Sequence, residues 1–432
     1  MTRGPFDPIG VMLDRIRAEF IDDDGGQVAD YIPELARADP STFGLALAGM
    51  SGAVYQAGEA TAPFTIQSVS KPFVFALALA DVGAAGVLAR VGVEPSGEAF
   101  NAISLEPGSG RPDNPLVNAG AIVTTSLVGG ADARERFERI RDLLSRCAGR
   151  ELELDQSVYE SERDTGDRNR ALAYLMRSAG SLTIDVDEAV DVYFRQCSVL
   201  VTTEDLALMG ATLAHGGVQP RTGERVMSES VTEQVLTVMA TCGMYDFSGE
   251  WLLRVGLPAK SGVSGGLIAV SPSQFGIGLH SPRLDARGNS VRAVAASAAI
   301  SQRFSLHLMH EIRPSAPSLE RLSVPSENQD DADISVVALT GDIEFAAVEQ
   351  ALLAVRLRQP GTPDPGGVVI DLDRVNLCHP AALALLEAVV QEVAERVPVV
   401  VVDRAGRNLL STAPVEVTTL DEALALCAST AR

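Results

Sequence analysis

Apolar positions along the chain follow two rhythms. In the first three hundred or so residues, short apolar runs gather at the two ends: FGLALAGMSG (43–52) and AVYQAG (53–58) early, GLIAVSP (266–272) and FGIGLHSP (275–282) late. These runs read as strands, while the Ala-rich stretches between them carry helical spacing. Such an order predicts an α+β domain whose sheet is closed by segments far apart in sequence. Beyond residue 333 the rhythm changes. ISVVALTG (334–341), VVIDL (368–372) and VPVVVVD (397–403) read as buried strands, with helical patterns at 344–358, 380–396 and 421–428. Strands alternating with helices predict a small α/β domain. The intervening RPSAPSLERLSVPSENQDDAD (313–333), rich in proline, serine and acid, has linker composition. The expected organisation is a domain over 1–312, a linker over 313–333 and a second domain over 334–432.

Charge and cysteine usage narrow the function classes. The chain carries 57 acidic against 35 basic residues, a formal charge of −22. A surface of that sign repels nucleic acid and anionic membrane, and neither is expected as a partner. The first twenty residues lack the apolar core of a signal peptide. No apolar run approaches ~18 residues without charges or breakers, so no membrane span is expected. The five cysteines are scattered, odd in number and without a CxxC pair, which suits small core residues in a reducing compartment. A cytoplasmic location follows as the expectation.

One helix brings a charge in with it. In FTIQSVSKPFVFALALAD (64–81) an apolar helical run opens on two serines and a lysine. Residues i and i+3 share a helix face, so Ser68 and Lys71 look the same way. A serine hydroxyl attacks only when something takes its proton, and a partly desolvated lysine is neutral enough to do so. SxxK at a helix start is the arrangement of penicillin-recognising acyl-transfer enzymes, although alone it also describes a capping serine and a surface lysine. A second motif tips the balance. PAKSGVSGG (258–266) sets Lys260-Ser261-Gly262 just before a strand, where glycines let substrate approach the backbone and an N–H can face an oxyanion. A phosphate loop would need GxxxxGK[ST], which is absent.

Further blocks carry a resemblance. GGQVADYIPELA (25–36), FTIQSVSKPF (64–73), NPLVNAGAI (114–122), YESERDTGDRNRALAYLM (159–176), VYFRQCSV (192–199), TCGMYD (241–246) and PAKSGVSGG (258–266) occur in this order. Over 26–305 the chain resembles the serine-dependent glutaminases, which share the β-lactamase-like fold. The resemblance implies Ser68 as nucleophile, Lys71 as its base and Tyr245 as a proton shuttle, with the N–H groups of Ser68 and Val263 as oxyanion hole. It further implies that Tyr31, Asn118, Glu162, Asn169 and Tyr193 line a pocket for L-glutamine. The chemistry agrees. A free amino acid presents an ammonium that suits Glu162 and a carboxylate that suits amide and phenol donors.

Other features point less far. His307 and His310 share a spacing that could place two ligands on one face, but a third ligand is missing. His280 has no partner of the Ser-His-Asp kind, and no metal or organic cofactor is implied. The C-terminal region resembles the STAS family through strand–helix order, VVIDLDRVNLCHPAALALLEAV (368–389) and VPVVVVDRAGR (397–407). Where that family often carries Asp-Ser-Ser/Thr-Gly, this chain has His379-Pro380-Ala381-Ala382. A regulatory or interaction module with a protein or small-molecule partner is the expectation there. For the whole chain we expect a glutaminase, working as a dimer or tetramer. The alternatives are a β-lactamase or penicillin-interacting hydrolase, and a non-catalytic regulator acting through the STAS-like end.

Overall fold

The computed structural model of the protein describes residues 7–97, 105–106, 108–310, 318–325, 333–356, 365–404, 410 and 415–430. The chain divides into two compact units, one of residues 13–301 and one of residues 1–12 with 302–432.

In the first unit an antiparallel sheet of five strands runs in the order Val54–Gly58, Gly44–Gly49, Phe275–His280, Gly266–Ser271, Ala259–Ser261. Its middle joins the two ends of the unit, with Gly44 opposite His280 and Gly49 opposite Phe275. The strand Ala259–Ser261 is built from the Lys-Ser-Gly motif and forms one sheet edge. The helix Thr203–Ala214 lies directly on the sheet, through Ala207, Leu208 and Ala211 against Ala46 and Ala48. Glycine makes that approach feasible: a Cβ at Gly276 would stand 2.1 Å from the Ala211 nitrogen, and one at Gly278 2.2 Å from the Thr203 carbonyl. Thr202 and Asp205 close a capping box at the start of this helix.

The helices Asn118–Leu127, Ala133–Ala148 and Glu229–Cys242 pack against the Lys71–Leu88 helix, whose Phe73, Val74, Phe75, Ala76 and Ala78 are buried. Together with its preceding turn (Gln67–Leu88) this segment is long and apolar enough to cross a membrane by length and composition, and half of that window is buried within the protein. The segment carries Lys71, Pro72, Asp81 and Gly83, the charges and breakers on which the expectation of no span rested. Its charges, Lys71 and Asp81, are absorbed by the fold. Lys71 is buried at the helix start, and Asp81 pairs with Arg139.

In the second unit the described strands form a sheet in the order Glu416–Val417, Val399–Val402, Gly367–Cys378, Ile334–Ile343, Ser318–Val324. All neighbours are parallel except the last pair, which is antiparallel. Ile334, Val336, Val369, Val400, Val402 and Val417 pack against Ala423 and Cys427 of the helix Leu420–Thr430. Part of the expected linker is therefore a strand: Ser318–Val324 pairs along its whole length with Ile334–Thr340. Its backbone bonds to a neighbouring strand outweigh a composition that reads as linker. The rest of 313–333 lies mostly outside the described residues.

Candidate active site

The helix Lys71–Leu88 is preceded by a 3-10 turn, Gln67–Ser70, and the two serines face different surroundings. Ser68 lines a cavity of about 340 Å³, whereas Ser70 is wholly buried. Gln67 adopts φ 49°, a left-handed conformation that a non-glycine residue holds only when its surroundings over-determine it. Its side chain lines the cavity and hydrogen-bonds Thr65 Oγ1 and the Glu162 carboxylate.

Lys71 has no exposed surface. Its Nζ donates to the Leu116 carbonyl (3.2 Å) and to Asn118 Oδ1 (2.7 Å). Burial pushes the amine down to about 8, with Cys197 and Glu162 acting weakly the other way. Asn118 opens the helix Asn118–Leu127, and its Nδ2 donates to Asn169 Oδ1 (3.1 Å) near the start of Asp167–Ser178. The buried lysine is thereby wired through two amides into the cavity.

Tyr245 stands in a 3-10 turn, Tyr245–Phe247, also at positive φ, 58°. Its hydroxyl donates to the Ser261 carbonyl (3.1 Å) and is hydrogen-bonded with Ser68. A phenol has one proton. With it given to Ser261, the oxygen accepts from the Ser68 hydroxyl. Burial pushes this phenol up to about 12, against the pull of Ser68 and Ser261. Beneath its ring lies Lys260 Nζ, 3.8 Å from the centroid, which donates to the same Ser261 carbonyl (2.7 Å). Burial, and then the neighbouring Lys71 charge, hold Lys260 far below the ordinary lysine range.

Opposite these groups, Glu162 sits on the helix Gln156–Thr165, whose start is capped by Asp155. It is 6% exposed, and burial lifts its carboxyl from 4.5 to about 7, despite Gln67 and Lys71. Tyr193 on Val186–Cys197 is buried, and desolvation, then Cys197 and Glu162, raise its phenol. Tyr31 lines the cavity while leaving half its surface to solvent, and desolvation, then Glu162, raises its phenol too. Val263 closes the cavity between the strands Ala259–Ser261 and Gly266–Ser271. Gly262 lets that segment touch the serine turn: a Cβ there would meet the Ile66 carbonyl at 3.1 Å and Val69 Cγ2 at 3.3 Å.

Of the nine residues singled out in the sequence, Tyr31, Ser68, Asn118, Glu162, Asn169, Tyr193 and Val263 line one cavity. Lys71 and Tyr245 lie behind it, the former joined through Asn118 and the latter through Ser68. Sequence reasoning passed over Gln67, Cys197 and the exposed Arg168, which also line the cavity, and Lys260 under Tyr245. Gln67 and Lys260 stand inside motifs already quoted, so adjacency was the available signal. The three histidines weighed in the sequence lie elsewhere. His280 stacks on Phe64 with centroids 3.8 Å apart, and burial drives its imidazole down to about 4. His307 Nδ1 accepts from the Met309 N–H, and His310 meets His379 edge to face.

An antiparallel sheet faced by helices, with a serine one turn before a buried lysine and a Lys-Ser-Gly edge strand beside them, defines the β-lactamase-like class. Residues 26–309 match the glutaminase family. Glutaminase 1 of Bradyrhizobium diazoefficiens is 44% identical over 403 residues, covering 90% of this chain and 65% of that protein. The glutaminase of Microcystis aeruginosa is 50% identical over 307 residues, covering 71% of this chain and 91% of that protein. The chain thus spans under two thirds of the Bradyrhizobium relatives, at 65% and 61%. Among solved structures, that of Mglu superposes with a TM-score of 0.70 at 43% identity, covering 92% of this chain and 98% of that one. A probable glutaminase of Bacillus subtilis gives 0.65 at 35%, covering 69% and 97%. The chain belongs to the glutaminase family.

Proposed function

We propose that the protein hydrolyses L-glutamine to L-glutamate and ammonia through a glutamyl ester on Ser68. The observation that carries this reading is one cavity lined by Ser68 and a buried carboxylate, backed by a lysine whose amine is desolvated to about 8 and which reaches the lining through Asn118. Ser68 Oγ attacks the side-chain amide carbon, and its proton passes by way of Tyr245 to Lys71. The oxyanion of the tetrahedral intermediate is received by the N–H groups of Ser68 and Val263. Its collapse breaks the C–N bond, the proton goes to the leaving nitrogen, and ammonia departs. Water then attacks the ester by the same route in reverse.

Recognition follows from charge. Glu162 takes the α-ammonium, while Asn118, Asn169, Tyr193 and Tyr31 hold the carboxylate end. A penicillin or a bare amide leaves Glu162 unpaired in a dry site, which weighs against the β-lactamase reading. The test is ammonia release from glutamine, compared with asparagine and with hydrolysis of a chromogenic cephalosporin. Turnover of the cephalosporin in preference to glutamine would overturn the assignment.

For the second unit we propose a STAS-like interaction module, in a homo-oligomeric enzyme of the cytoplasm. Support comes from its mostly parallel sheet and from the helix Pro380–Ala394, which begins with a proline suited to the first turn. Pro380 and Ala381 offer no hydroxyl there, so a phosphorylation switch at that position is not part of the proposal.

A further inference from the structure

The second serine of Ser68-Val69-Ser70-Lys71 has no part in the chemistry above, yet it is among the most enclosed polar groups of the first unit. Ser70 has no exposed surface, and its hydroxyl donates to the backbone carbonyl of Gln67 (2.8 Å). That oxygen also receives the Gln196 carboxamide (Nε2, a long 3.5 Å) and is hydrogen-bonded with the Cys197 thiol. Gln196 is itself wholly buried, and its Oε1 accepts from Thr125 Oγ1 (2.8 Å). A polar chain therefore runs from the helix Asn118–Leu127 through Val186–Cys197 to one atom, the carbonyl oxygen of Gln67. Gln67 is the residue held at φ 49°, and the peptide that follows it carries the N–H of Ser68.

We propose that Ser70 is a positioning residue, holding Gln67 at its positive φ within the Gln67–Ser70 turn so that Ser68 presents its hydroxyl and N–H to the cavity. The inference rests on the reading of Ser68 as the nucleophile. Without the Ser70 hydroxyl, the Gln67 carbonyl loses a buried side-chain donor that reinforces the turn's own backbone bonds, and relaxation to negative φ meets less resistance. Such relaxation turns the Gln67–Ser68 peptide, which misplaces the attacking oxygen and one oxyanion donor together. The groups that would grip the ends of glutamine sit on other elements, so binding is affected less than turnover.

The experiment is a double-mutant cycle on the full-length protein, read as kcat and KM for ammonia release, with circular dichroism to check folding. Ser70→Ala is expected to lower kcat roughly 10- to 100-fold with KM changed less than about threefold. Glycine adopts positive φ without strain. On a Gln67→Gly background, slower in itself, adding Ser70→Ala is therefore expected to cost less than about threefold. Gln196→Met, which leaves the serine in place, is expected to lower kcat about tenfold with the same dependence on background. It serves if Ser70→Ala does not fold. Equal losses on both backgrounds would reduce the pair to ordinary core packing and overturn the proposal. So would a Ser70→Ala protein within about twofold of wild type. Failure of the underlying reading looks different: wild type would release no ammonia from glutamine, or Ser68→Ala would keep its activity.

Discussion

Glu162→Gln separates charge recognition from everything else in the cavity. The wild-type carboxyl, lifted by burial from 4.5 to about 7, is about half ionised in the empty site at pH 7 and about a tenth ionised at pH 6. Only the ionised form receives an ammonium, so apparent affinity scales with that fraction. Affinity for glutamine is then expected to weaken about fivefold between pH 7 and pH 6. Lys71, titrating near 8, stays protonated across this range and contributes nothing to the slope. Glutamine as a replacement has nearly the same shape and leaves the Gln67 contact a partner, but the arriving ammonium finds no counter-charge. The cost expected for an unpaired charge in a dry site is about 2–5 kcal/mol, or about thirtyfold to several thousandfold in binding. The assay is calorimetric titration at both pH values on a Ser68→Ala background, using glutamine and its analogue lacking the α-amino group. Glu162→Gln should bind both compounds alike and lose the pH slope. A variant that keeps either the slope or the preference for glutamine would refute the reasoning.

The other tests follow from the same geometry. Because a base must be neutral to act, and burial lowers Lys71 to about 8, kcat is expected to rise about tenfold per pH unit below pH 8 and level off above it. Lys71→Met should lose roughly a hundredfold to ten-thousandfold in kcat and abolish that rise, which a pH series of steady-state rates would check. Gly262→Ala places a Cβ about 3 Å from the Ile66 carbonyl, and the resulting shift of the serine turn is expected to cost roughly tenfold in kcat with near-normal thermal stability. A chain ending at His310, retaining all the matched blocks, is expected to fold and to hydrolyse glutamine. Kinetics and light scattering against the full chain would expose any contribution of the second unit to catalysis or assembly.

Short motifs made the first unit legible because the local rule and the tertiary outcome coincide there. The SxxK spacing at the start of an apolar run pointed to a desolvated lysine, and Lys71 is buried. The strands at 44–49 and 275–280 announced themselves by composition, although only the structure supplies their pairing across more than two hundred intervening residues. Backbone strain left no trace in the sequence. Gln67 and Tyr245 are residue types that ordinarily avoid positive φ, yet the fold holds both there, with Ser70 Oγ bonded to the Gln67 carbonyl and Tyr245 Oη to the Ser261 carbonyl. Lys260 was visible as part of a motif, but its position under the Tyr245 ring depends on the turn at 245–247. The strand at 318–324 stayed hidden because proline and serine around it outweigh a short apolar alternation, and its stability comes from the neighbour at 334–340.

The covalent intermediate is the claim on which the rest depends. Wild-type protein mixed with excess glutamine, acid-quenched within one turnover and digested, should yield a peptide containing Ser68 that is heavier by one glutamyl group. That ester should appear as ammonia is released and decay as glutamate forms, and Ser68→Ala should give neither ester nor ammonia. Ammonia and glutamate released together, with no ester on the Ser68 peptide at any quench time, would contradict the account.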